Sequence, residues 1–363
     1  MRPVGVAIIG AGAIALANHL PGLRLCGEDR ARVVALCDTD RATLDRAAAQ
    51  TGITNLSTDF RQTVADDRVD AVIVATPNFT HREIVLAAVA AKKHVMCEKP
   101  LALNYQGALE MYRAAEAAGV RHMTAFTYRF VPAMRYMKHL VDAGFIGRAY
   151  HFRAQRFQDW DERYLGWRQV KKLAGSGELG DMLSHRIDYA HLLVGPIRSL
   201  VADLRIFVHE RGGKPSDLDD WVSMIARFDH ATTGVLESTK LATGRGEGNR
   251  GQDVVELNGS EGTIVYSTQK PTEISIGKRG DSDLHCEAVP HEFLTYPGSP
   301  RDPSQGDPLV TFRYDQSFEF IDAILNQRPC RPSFMDGVRA QAVMDAAIAS
   351  AERRCWVDVP TEN

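Results

Sequence analysis

The sequence predicts an α/β protein in two parts: a doubly wound parallel sheet at the N-terminus, then an α+β domain with an open, mostly antiparallel sheet. Three observations predict it. Apolar runs and helical stretches alternate from the N-terminus to about residue 126. The first apolar run ends in a glycine-rich turn that leads into an Ala-rich stretch. After Phe126 the alternation gives way to a helix and then to short strand-like runs separated by turn residues. The expected domains are therefore 1–126 and 127–363.

The elements follow in order. Val4–Ile9 is continuously apolar, as a strand buried on both faces requires. Gly10 and Gly12 make a tight turn, and a helix starts at Ala13. Further strands are expected at Val33–Cys37, Ala71–Ala75, His94–Cys97 and Val120–Ala125, with helices at Arg41–Gln50, His81–Lys92 and Tyr105–Ala118. Gly119 stands where a helix C-terminal glycine belongs. In the second part, Pro132–Asp142 reads as a helix, Arg148–Phe157 as a strand, and Glu178–Val194 as a helix ended by Gly195-Pro196. Strands follow at Ser199–Val208, Trp221–Phe228, Gly234–Leu241, Val254–Leu257, Thr263–Tyr266 and Glu273–Ile276, and helices at Tyr314–Asn326 and Asp336–Arg354. Asp281–Asp307 is rich in Pro, Ser, Gly and charge and reads as a long loop. An open sheet of this kind covers one face with helices and often buries the other against a second subunit.

Composition narrows the function. A net charge of −3 with no basic stripe speaks against a nucleic-acid partner. No run of 18 apolar residues occurs, so no membrane span or membrane partner is expected. The chain enters its first strand at once, which leaves no room for a signal peptide. Six cysteines are scattered without a C-x-x-C pair, as in a cytoplasmic protein with reduced thiols, and no metal site is expected.

Four motifs carry chemistry. In Gly10-Ala-Gly12-Ala13-Ile14-Ala15 the missing side chains let backbone approach a pyrophosphate, and the new helix aims free N–H groups at it. Asp38, with Thr39 beside it, ends the next strand, where an acid can accept hydrogen bonds from a ribose diol. It also opposes a 2′-phosphate: like charges about 4 Å apart cost about 1 kcal/mol in water and about 4 kcal/mol at an effective dielectric of about 20. That favours NAD over NADP. Asp38 can equally cap the helix Arg41–Gln50. Thr76-Pro77-Asn78 ends the third strand and reads either as a cofactor contact or as a plain loop with Thr80 capping a helix near His81. Glu98-Lys99-Pro100 ends the fourth strand, and Lys99 there can donate to an oxygen gaining negative charge. Finally, Asp181 and His185 stand four apart on a helix preceded by glycines. They read as an oriented acid/base histidine or as a satisfied, half-buried pair.

With those motifs the sequence resembles the glucose-fructose oxidoreductase, inositol dehydrogenase and rhizopine-catabolism family (Gfo/Idh/MocA) along essentially the whole chain. The resemblance is carried by Gly10-Ala-Gly12, Asp38, Thr76-Pro77-Asn78, Thr80-His81, His94-Val-Met-Cys-Glu98-Lys99-Pro100, Tyr128-Arg129-Phe130, Gly166-Trp167-Arg168, Asp181-x-x-x-His185, Val255-Glu-Leu-Asn-Gly-Ser-Glu-Gly262, Ser350-Ala and Trp356-Val357. It implies a Rossmann domain, an α+β domain whose open sheet commonly makes a homodimer or homotetramer interface, and bound NAD(P). The activity it implies is oxidation of a secondary alcohol on a sugar, anhydrosugar or cyclitol, or the reverse. The family's catalytic lysine, aspartate and histidine carry over to Lys99, Asp181 and His185. Lys99 and His185 can exchange the donor and base roles. Besides the residues above, His81, Glu98, Arg129, Trp167 and Arg168 are expected around the cofactor, the last three otherwise in packing and salt bridges. Gln158, Asp159 and Trp160 are expected at sugar hydroxyls. Leu183 departs from the glycine many members carry two residues after the aspartate and is expected to narrow the pocket. A sugar oxidoreductase with tightly held cofactor and a non-catalytic dinucleotide-binding regulator are the other readings.

Overall fold

The computed structural model describes residues 2–248 and 251–361, and the chain divides into two compact units. Unit 1 runs to Thr127 and adds Tyr296–Val338; unit 2 takes Tyr128–Thr295 and the chain from Arg339 on.

Unit 1 is built on six strands: β1 (Val4–Ile9), β2 (Ala31–Cys37), β3 (Leu56–Ser57), β4 (Ala71–Val74), β5 (His94–Cys97) and β6 (His122–Thr124). All pair in parallel, in the order β3-β2-β1-β4-β5-β6. Every residue of β1 and β4 is buried, which is why both read as unbroken apolar runs. The chain steps outward from β1 to β3 and then returns to the other side of β1. The loops after β1 and β4 thus flank the point where strand order reverses, the place an open α/β sheet binds ligands. Tyr105–Ala118 is a helix as expected, capped by Asn104 and ended by Gly119 in the left-handed region. Two caps differ from expectation. Asp40, not Asp38, caps the helix Arg41–Thr51, because its carboxylate lies where it accepts from Ala42 and Thr43 N–H. Asn78–Ala90 starts directly after Pro77, so Thr80 lies inside it and its hydroxyl faces Thr76 Oγ1 and Pro77 O.

The segment 296–338, expected with the second domain, folds with the first. Its helix Tyr314–Leu325 packs on the helix Leu20–Leu25. A side chain at Gly22 would meet Ser317 Oγ at 2.8 Å, so the glycine allows the close approach. Arg30 pairs with Asp322 at 2.7 Å, and the buried Gln316 amide reaches Met96 of β5.

Unit 2 carries β7 (Ala149–Phe157), β8 (Ile197–Arg205), the short ribbon β9 (Glu210–Arg211) and β10 (Lys214–Pro215), then β11 (Trp221–Phe228), β12 (Thr233–Thr239), β13 (Gln252–Gly259), β14 (Gly262–Ser267), β15 (Glu273–Lys278), β16 (His285–Ala288) and β17 (Val357–Asp358). Nine of these form one sheet, β16-β15-β14-β13-β7-β12-β11-β8-β17, antiparallel except for the central β7–β12 pair. β16 corrects the expected loop at 281–307: it pairs with β15, and a helical turn follows at His291–Leu294. Burial alternates along β11 and β12, as a sheet covered on one face requires. Phe152, Ala154, Met224, Leu236, Val255 and Ile264 are buried. The helix Ser184–Leu193 packs against β7, and Pro132–Asp142 against β14 and β15. On the alternate face Val201, Ile225 and Val235 stand side by side across β8, β11 and β12, and Ile225 is 49% exposed.

Candidate active site

In unit 1 the loops after β1, β2, β4 and β5 gather at the C-terminal edge of the parallel sheet. Gly10 has φ +97°, and a Cβ there would lie 2.6 Å from the Ala75 carbonyl group, so the turn packs directly on the loop after β4. Around Gly12, by contrast, no atom lies within 4 Å of a Cβ position, and Gly12, Ala13 and Ile14 are exposed. This is an open cradle of backbone at a helix start, which fits a pyrophosphate. The helix contains a π turn at Ala15–His19, closed by Leu20 N–H donating to Ala15 O. Asp38 is half-buried; its carboxylate accepts from Ala11 N–H at 2.9 Å and Asp40 N–H at 3.0 Å. Each oxygen keeps acceptor capacity for a hydroxyl. Thr39 is exposed beside it.

Thr76 and Pro77 are half-buried and Asn78 buried at the end of β4. His81 is fully buried, with ring nitrogens 3.0 Å from Pro100 O and 2.9 Å from Thr76 O, so it braces the loop after β4 against the loop after β5. Burial holds its pKa below the ordinary value against those hydrogen bonds. Glu98 bonds His19 Nε2 at 2.8 Å and accepts from Lys99 N–H at 3.3 Å. Burial opposes its charge, but His19, Lys99 and His81 outweigh it and hold the carboxyl below its usual range. Lys99 follows directly, half-buried.

In unit 2, Asp181 sits in a second π turn, Leu179–Leu183, closed by Ser184 N–H donating to Leu179 O. The regular helix begins only at Ser184, a difference from the expected Glu178–Val194 helix. The start of the turn is held by the buried Asp219, whose carboxylate accepts from Gly177 N–H at 2.6 Å and Leu179 N–H at 2.8 Å. Gly177 allows that close approach, since a Cβ would sit 2.1 Å from Asp219 O. His185 is buried edge-on against Tyr128, ring centroids 4.6 Å apart. π turns are frequent at functional sites, and here one follows the glycine turn while the other carries Asp181. Leu183 is fully buried.

The remaining expected residues divide by role. Arg129 forms a two-pronged pair with Asp188, at 2.7 and 2.5 Å. Arg168 stacks 4.3 Å over the Trp167 ring. Gln158 is buried, with Oε1 accepting from Arg156, while its Nε2 and the Trp160 indole N–H are buried without a hydrogen-bond partner among the described residues. Asp159 accepts from Asp161 and Gly244 N–H, which shapes the loop after β12. Sequence reasoning missed His19, Asp219 and Glu178, whose partners lie far along the chain. Among the described residues no group of three or more His, Cys, Asp or Glu could hold a metal ion, and no helix is long and apolar enough to cross a membrane.

Comparison with known proteins places this architecture. A model of the oxidoreductase family with an NAD-binding Rossmann fold matches residues 4–126, and one of the GFO/IDH/MocA C-terminal domain matches residues 134–265. The chain belongs to the GFO/IDH/MocA oxidoreductase family. Unit 1 supplies its NAD-binding Rossmann fold, and the cradle at Gly12 with Asp38 beyond β2 suits that cofactor. Among members of the family, the chain is 34% identical over 345 residues to levoglucosan dehydrogenase from Pseudarthrobacter phenanthrenivorans, covering 86% of each chain. It is 30% identical over 285 residues to myo-inositol 2-dehydrogenase from Thermotoga maritima, covering 77% of this chain and 81% of the relative. A solved levoglucosan dehydrogenase in complex with NADH and L-sorbose superimposes with a TM-score of 0.92 at 31% identity, covering 100% of both chains.

Proposed function

We propose that this oxidoreductase removes hydride from a secondary hydroxyl-bearing carbon of a cyclic polyol, with a sugar, anhydrosugar or inositol as substrate and NAD as acceptor. The observation that carries the reading is the motif pair itself: Lys99 at the C-terminal edge of the Rossmann sheet, and Asp181 on a turn held by Asp219 with His185 in the helix that follows it. Full-length likeness to a levoglucosan dehydrogenase bound to NADH and L-sorbose supports the substrate class.

In this reading His185 accepts the hydroxyl proton as general base. Lys99 donates to the oxygen as negative charge develops on it. Asp181 orients the pair and accepts from a neighbouring hydroxyl. The orphaned Trp160 and Gln158 N–H groups donate to further ring hydroxyls, which a polyol supplies and a hydrocarbon does not. NAD, when bound, takes up the hydride. The alcohol thus loses one hydride and one proton and leaves as a ketone. The outward row Val201–Ile225–Val235 supports assembly of a homodimer or homotetramer through the open face of the sheet. The test is a panel of sugars, anhydrosugars and inositols assayed with NAD and with NADP. Reduced nicotinamide is expected with a cyclic polyol and NAD; its absence across the panel, with NAD still bound, contradicts the reading.

A further inference from the structure

Glu178 begins the turn that carries Asp181, and no mechanism above uses it. It is fully buried. Four polar or charged groups face it: Ser238 of β12, Lys240 just after β12, Asp219 before β11, and Asp181 on its own turn. The hydrogen bonds around Ser238 bear on the protonation of Glu178. Ser238 Oγ lies 3.0 Å from Arg156 O and 2.5 Å from Glu178 Oε1. A hydroxyl has one proton, so Ser238 can donate to Arg156 O or to Glu178 Oε1 but not to both at once. Both contacts are hydrogen bonds together only when Glu178 carries a proton and donates it to Ser238 Oγ. Glu178 Oε2 has no hydrogen-bond partner among the described residues, and Lys240 Nζ is 3.9 Å away, beyond hydrogen-bond reach. A buried, charged carboxylate would demand those partners.

We propose that Glu178 is a positioning residue of this site: a neutral, proton-carrying carboxyl that pins the Asp181 turn to β12 through Ser238. The nearby Asp181 and Asp219 carboxyls disfavour a further negative charge at Glu178. Burial, with the charges of Asp181 and Asp219 adding to it and Lys240 and Ser238 opposing, pushes the Glu178 carboxyl up to about 7 from 4.5. A carboxyl raised in the folded state stabilises the fold fully below its unfolded value, and that contribution is lost as pH climbs through about 7.

The decisive variant is Glu178→Gln, which keeps a donor toward Ser238 and cannot ionise. Thermal unfolding of the whole chain between pH 5 and pH 8 is the first readout. Wild type is expected to lose roughly 5 °C more than the variant across that range; parallel curves overturn the proposal. Lys240→Met is the second variant. Removing that cation moves the wild-type inflection to higher pH if Glu178 is the titrating group, and an unmoved inflection overturns the assignment. Neither readout needs turnover, so they stand apart from the proposed function. The third readout rests on that function: the base limb of the kcat profile is expected to fall by roughly half a pH unit in Glu178→Gln, because wild type gains a negative charge near Asp181 and His185 as Glu178 ionises. Superimposable profiles contradict the positioning role.

Discussion

At the scale of single residues, the Asp38 carboxylate holds the glycine turn through Ala11 N–H at the end of β2. We propose that it also opposes a 2′-phosphate there. Asp38→Asn keeps an acceptor and removes the charge, so the ratio of NAD to NADP affinity should fall roughly tenfold or more. Titration of both cofactors checks this, and an unchanged ratio would remove Asp38 from cofactor choice. Asp253 gives a stability prediction. It is fully buried, pairs with the equally buried Arg186, and lies 3.6 Å from Arg156. Asp253→Asn strands two guanidinium groups and should cost about 3–5 kcal/mol in urea unfolding. The identity of Asp38 as an acid at a strand end was legible in the sequence. Its bond to Ala11 and the Asp253 pairing were not, because each partner lies in another element and a sequence does not say which faces meet.

At the scale of elements, the boundaries that held are those written locally. Asn104 and Gly119 bracket their helix, and Pro132 opens the next, because capping and proline geometry act within a few residues. The π turns were invisible for the opposite reason. The turn at Leu179–Leu183 is anchored at its start by Asp219, 42 residues away from Gly177. The segment His285–Ala288 was likewise hidden: it is mostly exposed, so no alternation of apolar residues announces it, and only pairing with β15 makes it a strand. Gly177→Ala tests the element directly. Its Cβ must displace the Asp219 backbone, an overpacking expected to cost about 1–3 kcal/mol. Chemical denaturation measures the cost, and a variant as stable as wild type would show that the turn is not seated as described.

At the scale of the whole molecule, the sequence announced a parallel sheet followed by an antiparallel one, since the rhythm of elements changes after Phe126. It did not announce that 296–338 returns to the first unit, because the decisive contacts, Gly22 with Ser317 and Arg30 with Asp322, join positions nearly 300 residues apart. Assembly is the property that tests the open face. Ile225→Asp places a charge in the middle of the apolar row across β8, β11 and β12, and sedimentation should show a smaller species than wild type. The proposed function gives Lys99 and His185 one proton transfer, with NAD as hydride acceptor. The measurement that reaches it most directly is the rate of nicotinamide reduction from a cyclic polyol, compared among wild type, Lys99→Met and His185→Ala at saturating NAD. Turnover by wild type with a loss of about 100- to 10,000-fold in both variants, NAD binding retained, is the predicted result; variants that match wild type would contradict it.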